Sequence, residues 1–222
     1  MLFNDFDTIV FAGDSITDMG SANPVGDSPL WDALGQGYVR VIDSMISAFY
    51  PELCVRIVNS GVNGRTSTDM LKVWQTDVLD KKPDYVSLLI GGNDVWRQFD
   101  SPAQTDQHVT PEVAEQNIRK MIEMTLPHVK KMFIISPYYM EPLREDPMRR
   151  RMGEYADICR RLADEYGCEY VDFQGAYDEY FKYKHSSFIS WDRMHPNKTG
   201  ATLMAREFLS HCDFDYNHKP GE

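Results

Sequence analysis

The chain has no surplus of basic charge. Its 23 lysines and arginines stand against 34 acids in 222 residues, leaving a net charge of −11. Nucleic acid is therefore not expected as a partner, because a phosphate-binding surface needs clustered cations. The one basic run, Arg149-Arg150-Arg151, lies in a helical pattern that also carries Glu145, Asp146 and Glu154, and reads as a solvated, salt-bridged face. Cysteine is scarce as well. The four (Cys54, Cys159, Cys168 and Cys212) are scattered, with no C-x-x-C pair, which argues against a disulfide framework or a zinc site and for reduced, mostly buried thiols. No apolar stretch approaches the ~20 residues of a membrane span, and Met1-Leu2-Phe3-Asn4-Asp5 lacks the basic-then-apolar plan of an export leader. The expectation is a cytoplasmic protein without a membrane partner. Linkers, repeats and low-complexity segments are missing too, so residues 1–222 are expected to form a single domain.

What is present is an alternation of short apolar runs with helical periodicities. Thr8-Ile9-Val10-Phe11 predicts a first buried strand, followed by a loop from Gly20 to about Gly37. Tyr38, Val39, Ile42, Met45, Ile46 and Phe49 recur at helical spacing. Further strands are predicted over 53–58, 85–90, 132–135 and 168–172. Helices are predicted around Met70 to Val78, from Pro111 after a Thr110 cap, from Met148 to Tyr166, and over about 198–209. Asn93 to Thr110 reads as a long polar loop. The class this predicts is α/β, with a five-stranded parallel sheet covered by helices on both faces.

Three consecutive strands end in glycine beside polar residues: Gly13-Asp14-Ser15, Ser60-Gly61 and Gly92-Asn93. Taken one at a time these are ordinary turn residues. In a parallel sheet, however, all three fall on the carboxyl edge, where ligands bind. Ser15 there offers a hydroxyl and its own N–H, Gly61 an unshielded N–H, and Asn93 an amide; a nucleophile beside three donors is what acyl transfer requires. Near the other end, Asp192 and His195 stand three apart before a helix, so one loop can present an imidazole together with the acid that orients it. Of the remaining five histidines, His108, His128, His185 and His211 have no acid at that spacing, and His218 alone has one, Asp215. Other chemistries fail on position. There is no G-x-S-x-G, H-E-x-x-H or G-x-x-x-x-G-K-[ST], and Asp5-Phe6-Asp7-Thr8, which looks like an aspartyl phosphotransferase motif, precedes its strand instead of following it.

Gly13-Asp14-Ser15, Gly61, Gly92-Asn93-Asp94 and Asp192-x-x-His195-Pro196 together, in this order, resemble the four signature blocks of the SGNH, or GDSL, serine hydrolases. Ile16 replaces the leucine frequent in the first block. The likeness to bacterial acetylxylan esterases of this superfamily extends to Gly37-Tyr38-Val39, Tyr50-Pro51-Glu52-Leu53, Asn93-Asp94-Val95-Trp96-Arg97-Gln98, Asp146-Pro147-Met148-Arg149-Arg150 and Trp191-Asp192-Arg193. The resemblance implies a flavodoxin-like three-layer α/β/α sandwich, a Ser15, Asp192 and His195 triad, and an oxyanion hole of Ser15, Gly61 and Asn93. It also implies a homo-oligomer and needs no metal or cofactor. The expected substrate is a short acyl ester on carbohydrate, acetylated xylo-oligosaccharides above all, with Trp31, Trp96 and Trp191 as candidate pocket walls. Another short-acyl esterase or thioesterase is the alternative reading, and a catalytically silent sugar-binding protein the remaining one.

Overall fold

The computed structural model describes residues 1–22, 26–27 and 33–220. Its centre is β1 (Thr8–Gly13), whose side chains alternate between two faces as a pleated strand requires. Ile9 and Phe11 point into one hydrophobic layer, Val10 and Ala12 into the other. On one side β1 pairs in parallel with β3 (Arg56–Gly61), and on the other with β4 (Tyr85–Leu89). Beyond β4 follow β5 (Lys131–Ile135) and β6 (Glu169–Val171), both parallel. The five parallel strands expected are present. A sixth, β2 (Gly26–Asp27), lies antiparallel on the outer edge of β3, within the stretch read as a loop.

Helices cover both faces. The first layer is built by α2 (Tyr38–Phe49), α7 (Phe173–Phe181) and α8 (Lys198–Ser210), which bury Tyr38, Ile42, Phe173, Tyr177, Met204 and Phe208. The second is built by α3 (Ser67–Asp77), α5 (Pro111–Thr125) and α6 (Pro147–Tyr166), which bury Trp74, Met121, Ile122 and Leu162. Thr110 caps α5 and Pro111 opens it, as predicted, because proline gives up only an N–H that has no helical acceptor.

Two short helices depart from the expectations, and both sit at strand ends. α1 (Ser15–Asp18) follows β1 directly. α4 (Gly92–Asp100) occupies the start of the supposed loop after Ile90. Its inward face is largely polar: Asp94 is buried and accepts the N–H and hydroxyl of Ser67, and Gln98 donates to Asp94 O, Val109 O and the Tyr155 hydroxyl. A helix that packs through carboxylate and amide has little apolar period to read. The basic run also differs from its reading. Arg149 is mostly buried and pairs with Asp178 at 2.7 Å, whereas Arg151 does lie outside, bonded to Glu154 and Gln98.

Candidate active site

The parallel strands run β3-β1-β4 at the centre of the sheet, so the chain crosses to opposite sides after β1 and after β3. Such a reversal leaves a crevice at the carboxyl ends. Glycine shapes the way the chain enters it. A Cβ on Gly13 would lie 2.1 Å from Thr17 Oγ1 and 2.8 Å from Leu89 O, so any side chain there would prevent α1 from folding back over the strand end. Asp14 then caps α1, its Oδ1 accepting the Ile16 N–H at 3.0 Å. Ser15 is the first helical residue, and its N–H has no acceptor within so short a helix.

The Ser15 hydroxyl meets His195 Nε2 at 2.8 Å, and His195 Nδ1 meets Asp192 Oδ2 at 2.6 Å. Asp192 Oδ1 accepts the N–H groups of His195 at 2.8 Å and Met194 at 2.9 Å, and the Ser190 hydroxyl at 3.1 Å. Burial alone would raise the Asp192 carboxyl, but the His195 side chain and these two N–H groups outweigh it and hold the acid below its ordinary value. The loop carrying both residues is tied down from the segment after β5. Tyr138 donates its hydroxyl to Met194 O at 3.0 Å, the Met140 N–H donates to Arg193 O at 2.8 Å, and Glu141 pairs with Arg193 at 2.6 Å. Arg193 itself takes a left-handed φ of 66°, a strained conformation for a side-chain-bearing residue that these bonds hold in place. Asn197 then caps α8.

Asn93, at the start of α4, lines the same cavity as Ser15. Its Nδ2 donates to Arg65 O at 3.1 Å and to Asp14 Oδ2 at 3.3 Å. Asp14 is buried, and that burial pushes its carboxyl up to about 6 even though the Ile16 N–H and His195 favour its charge. Burial likewise pushes Asp94, one residue beyond Asn93, up to about 6 against the Ser67 donors.

Gly61 stands at the carboxyl end of its strand, as read, but not in the role expected of it. It closes β3, in register with Gly13, and its N–H is committed to Asn59 Oδ1 at 2.9 Å. That N–H is fixed in the strand backbone and held by a buried Asn59 side chain, so it is not free to turn to an oxyanion. The residue of that segment which reaches the cavity is Gly64, three positions on, at φ 76° in a turn closed by Arg65 N–H to Val62 O. Glycine adopts that φ without strain, and the Gly64 N–H has no partner among the described residues. Asp14, Ser15, Gly64, Asn93, Trp96, Arg97, Met194 and His195 together enclose a cavity of about 220 Å³.

The three tryptophans part company. Trp96 lines this cavity, with its ring centroid 6.3 Å from that of His195. Trp191 is 89% exposed and borders a neighbouring groove that His195 also lines. Trp31 lies outside the described residues.

Comparison with known proteins identifies the chain's relatives. Residues 11–203 match the GDSL-like Lipase/Acylhydrolase family. The acetylxylan esterase of Geobacillus stearothermophilus is 40% identical over 208 residues, which make up 94% of this chain and 94% of that one. Its crystal structure superposes with a TM-score of 0.94 over 97% of this chain and 98% of the other, at 40% identity. An alpha/beta hydrolase from the metagenome of Lake Arreo, Spain, reaches a TM-score of 0.94 at 44% identity over 97% of this chain and 100% of its own. Crystal structures of catalytic mutants of the Geobacillus enzyme carry alanine at a serine, an aspartate and a histidine. The chain described here belongs to the GDSL-like lipase/acylhydrolase family and is a carboxylic-ester hydrolase.

Proposed function

We propose that this enzyme removes acetyl groups from acetylated xylo-oligosaccharides through an acyl-Ser15 intermediate. One observation carries the chemistry: His195 bridges Ser15 and Asp192 with bonds of 2.8 and 2.6 Å beside a small cavity that Ser15 and His195 both line. The substrate is carried by kinship with an enzyme described as an acetyl-xylooligosaccharide esterase. Cavity size supports a short acyl group. About 220 Å³ falls below the ~300 Å³ at which pockets for drug-sized ligands begin.

In the first half-reaction His195 Nε2 takes the Ser15 proton as Oγ attacks the ester carbonyl. Asp192 keeps the other proton on Nδ1 and stabilises the imidazolium that forms. The oxyanion is received by the N–H groups of Ser15 and Gly64 and by the Asn93 amide. Gly64 takes the part expected of Gly61, and the longer of the two Asn93 contacts, to Asp14, is the one that yields to substrate. Collapse of the intermediate passes the proton from His195 to the departing sugar oxygen. A water that His195 deprotonates then releases acetate and restores Ser15.

Trp96 forms one wall of the acyl-binding cavity, and Trp191 an outer aromatic face beside His195. The free, partly buried cysteines support a reducing, cytoplasmic setting. Exposed aromatics along 183–191, namely Tyr183, Phe188 and Trp191, support a homo-oligomer, since apolar patches of this kind mark contact surfaces. The deciding experiment is an acetate-release screen over acetylated sugars, acyl-thioesters and aryl esters, with Ser15→Ala as control. Acetylated xylo-oligosaccharides are expected as the best substrates. A preference for thioesters would overturn the carbohydrate reading.

A further inference from the structure

The acyl-binding cavity does not end the site. A second cavity of about 430 Å³ adjoins it, and the two share Gly64 and Arg97 as lining residues. The walls of the second are polar and of mixed sign. Lys72 pairs with Asp69 and Arg97 with Asp100, and Asp106 adds a further acid, so no excess of positive charge faces a polyanion there. Several hydrogen-bonding groups are uncommitted. Arg97 spends Nη1 on Asp100, while Nη2 lies 4.0 Å from the point where a Cβ of Gly64 would stand and has no partner among the described residues. The Gln107 amide is unpartnered among the described residues as well. His108 bonds Ser101 O through Nε2, which leaves Nδ1, and Thr68 accepts from Asn117, which leaves its hydroxyl hydrogen.

A neutral cavity edged by guanidinium, amide, imidazole and hydroxyl suits a neutral polyhydroxylated ligand, because each sugar hydroxyl both donates and accepts. Neither an acyl chain nor a phosphate has that pattern. We infer that the second cavity holds the sugar unit glycosidically joined to the acetylated one, with Arg97 spanning both positions as a specificity-determining residue. This rests on the carbohydrate reading above and deepens it: the enzyme is built for chains of two or more sugars. On volume, the first cavity alone is undersized for such a ligand, whereas the pair falls within the range of ordinary ligand pockets.

The test compares wild type, Arg97→Ala, Arg97→Lys and Gln107→Ala on three esters: 4-nitrophenyl acetate, acetylated xylose and acetylated xylotriose. Wild type is expected to show a higher kcat/KM on the trisaccharide than on the monosaccharide. Arg97→Ala should lower the trisaccharide value about tenfold more than the aryl acetate value, mainly through KM, as expected for a lost bond to a charged donor. Gln107→Ala should do the same by a few-fold, and Arg97→Lys should recover part of the loss. If acetylated sugars are turned over but the variants keep the wild-type ratio between trisaccharide and aryl acetate, the subsite is refuted while the carbohydrate reading stands. If only the aryl acetate is hydrolysed, the carbohydrate reading fails and takes the subsite with it.

Discussion

Changing Asp192 to asparagine replaces a single carboxylate oxygen with an amide nitrogen, and the contacts show which interactions survive. Oδ1 keeps all three of its donors, Met194 N–H, His195 N–H and the Ser190 hydroxyl, so the loop and the fold should persist. The changed atom is the one 2.6 Å from His195 Nδ1. An amide NH₂ there can only donate, so the imidazole must present an unprotonated Nδ1 and carry its proton on Nε2. That nitrogen then donates to Ser15 and cannot take its proton. The negative charge that would stabilise the imidazolium is lost in the same step. By analogy with other triads, kcat should fall about 10⁴-fold, near 5.5 kcal/mol in the barrier, with KM nearly unchanged. Steady-state hydrolysis of 4-nitrophenyl acetate, alongside near-UV circular dichroism to verify folding, measures it. A folded variant within about tenfold of wild type would refute the role of Asp192 in setting the tautomer.

Three further outcomes follow from the same contacts. Ser15→Ala should lose turnover and labelling by an organophosphonate while melting near wild type, since the hydroxyl bonds only His195 among the described residues; labelling of the variant would place the nucleophile elsewhere. Gly61→Ala should destabilise by about 3 kcal/mol or more, because its Cβ would lie 2.2 Å from Asp18 N, backbone that cannot give way. A Cβ on Gly64 would meet only Arg97 Nη2, at 4.0 Å, so Gly64→Ala should cost only the left-handed φ, about 1–2 kcal/mol, and equal melting temperatures for the two would contradict the structure. For Asp14, burial raises the carboxyl from 3.8 to about 6, so the native state binds this proton more tightly than the unfolded chain does. The stability it contributes is complete below pH 3.8 and is lost as pH rises through about 6, an upper bound near 3 kcal/mol. Asp14→Asn removes that loss. Urea denaturation should therefore show the variant gaining on wild type between pH 4 and 7, and a constant difference would argue against a buried carboxyl.

The layered fold was legible because its signals are apolar and periodic. β1, β4 and β5 are almost wholly buried, and α2, α5 and α6 carry their apolar residues at helical spacing. What escaped was structure held by polar groups. The inner face of α4 turns Asp94 and Gln98 toward partners on α3 and α6, so its sequence looks like loop. The end of β3 escaped for the same reason. Asn59-Ser60-Gly61 has the composition of a turn, yet it continues the strand in register with Phe11-Ala12-Gly13. Ser15, Asn93, Asp192 and His195 could be proposed from sequence because their residue types are themselves the chemistry. Gly61 and Gly64 are chemically identical, and only the route of the backbone separates them.

That route is fixed by Asn59, which gives the Gly61 assignment a test of its own. The side chain is 3% exposed and fully engaged: Nδ2 donates to Thr17 O at 2.7 Å and Leu34 O at 2.8 Å, and Oδ1 accepts the Gly61 N–H at 2.9 Å. It thereby fastens the end of β3 to α1 and to the segment before α2. Asn59→Asp preserves shape and keeps the Gly61 bond, but it turns a second acceptor toward two carbonyl oxygens. The cost should be about 3–5 kcal/mol at neutral pH, the range for a buried charge left without its partner. Burial and the facing carbonyls raise the pKa of the new carboxyl, so the deficit should be smallest in acid, where a proton lets it donate to one carbonyl, and should grow as pH rises. Chemical denaturation at pH 5 and pH 8 would show this. A variant as stable as wild type at pH 8 would mean that Asn59 does not donate to those carbonyls, and the Gly61 N–H would then again be a candidate for the oxyanion.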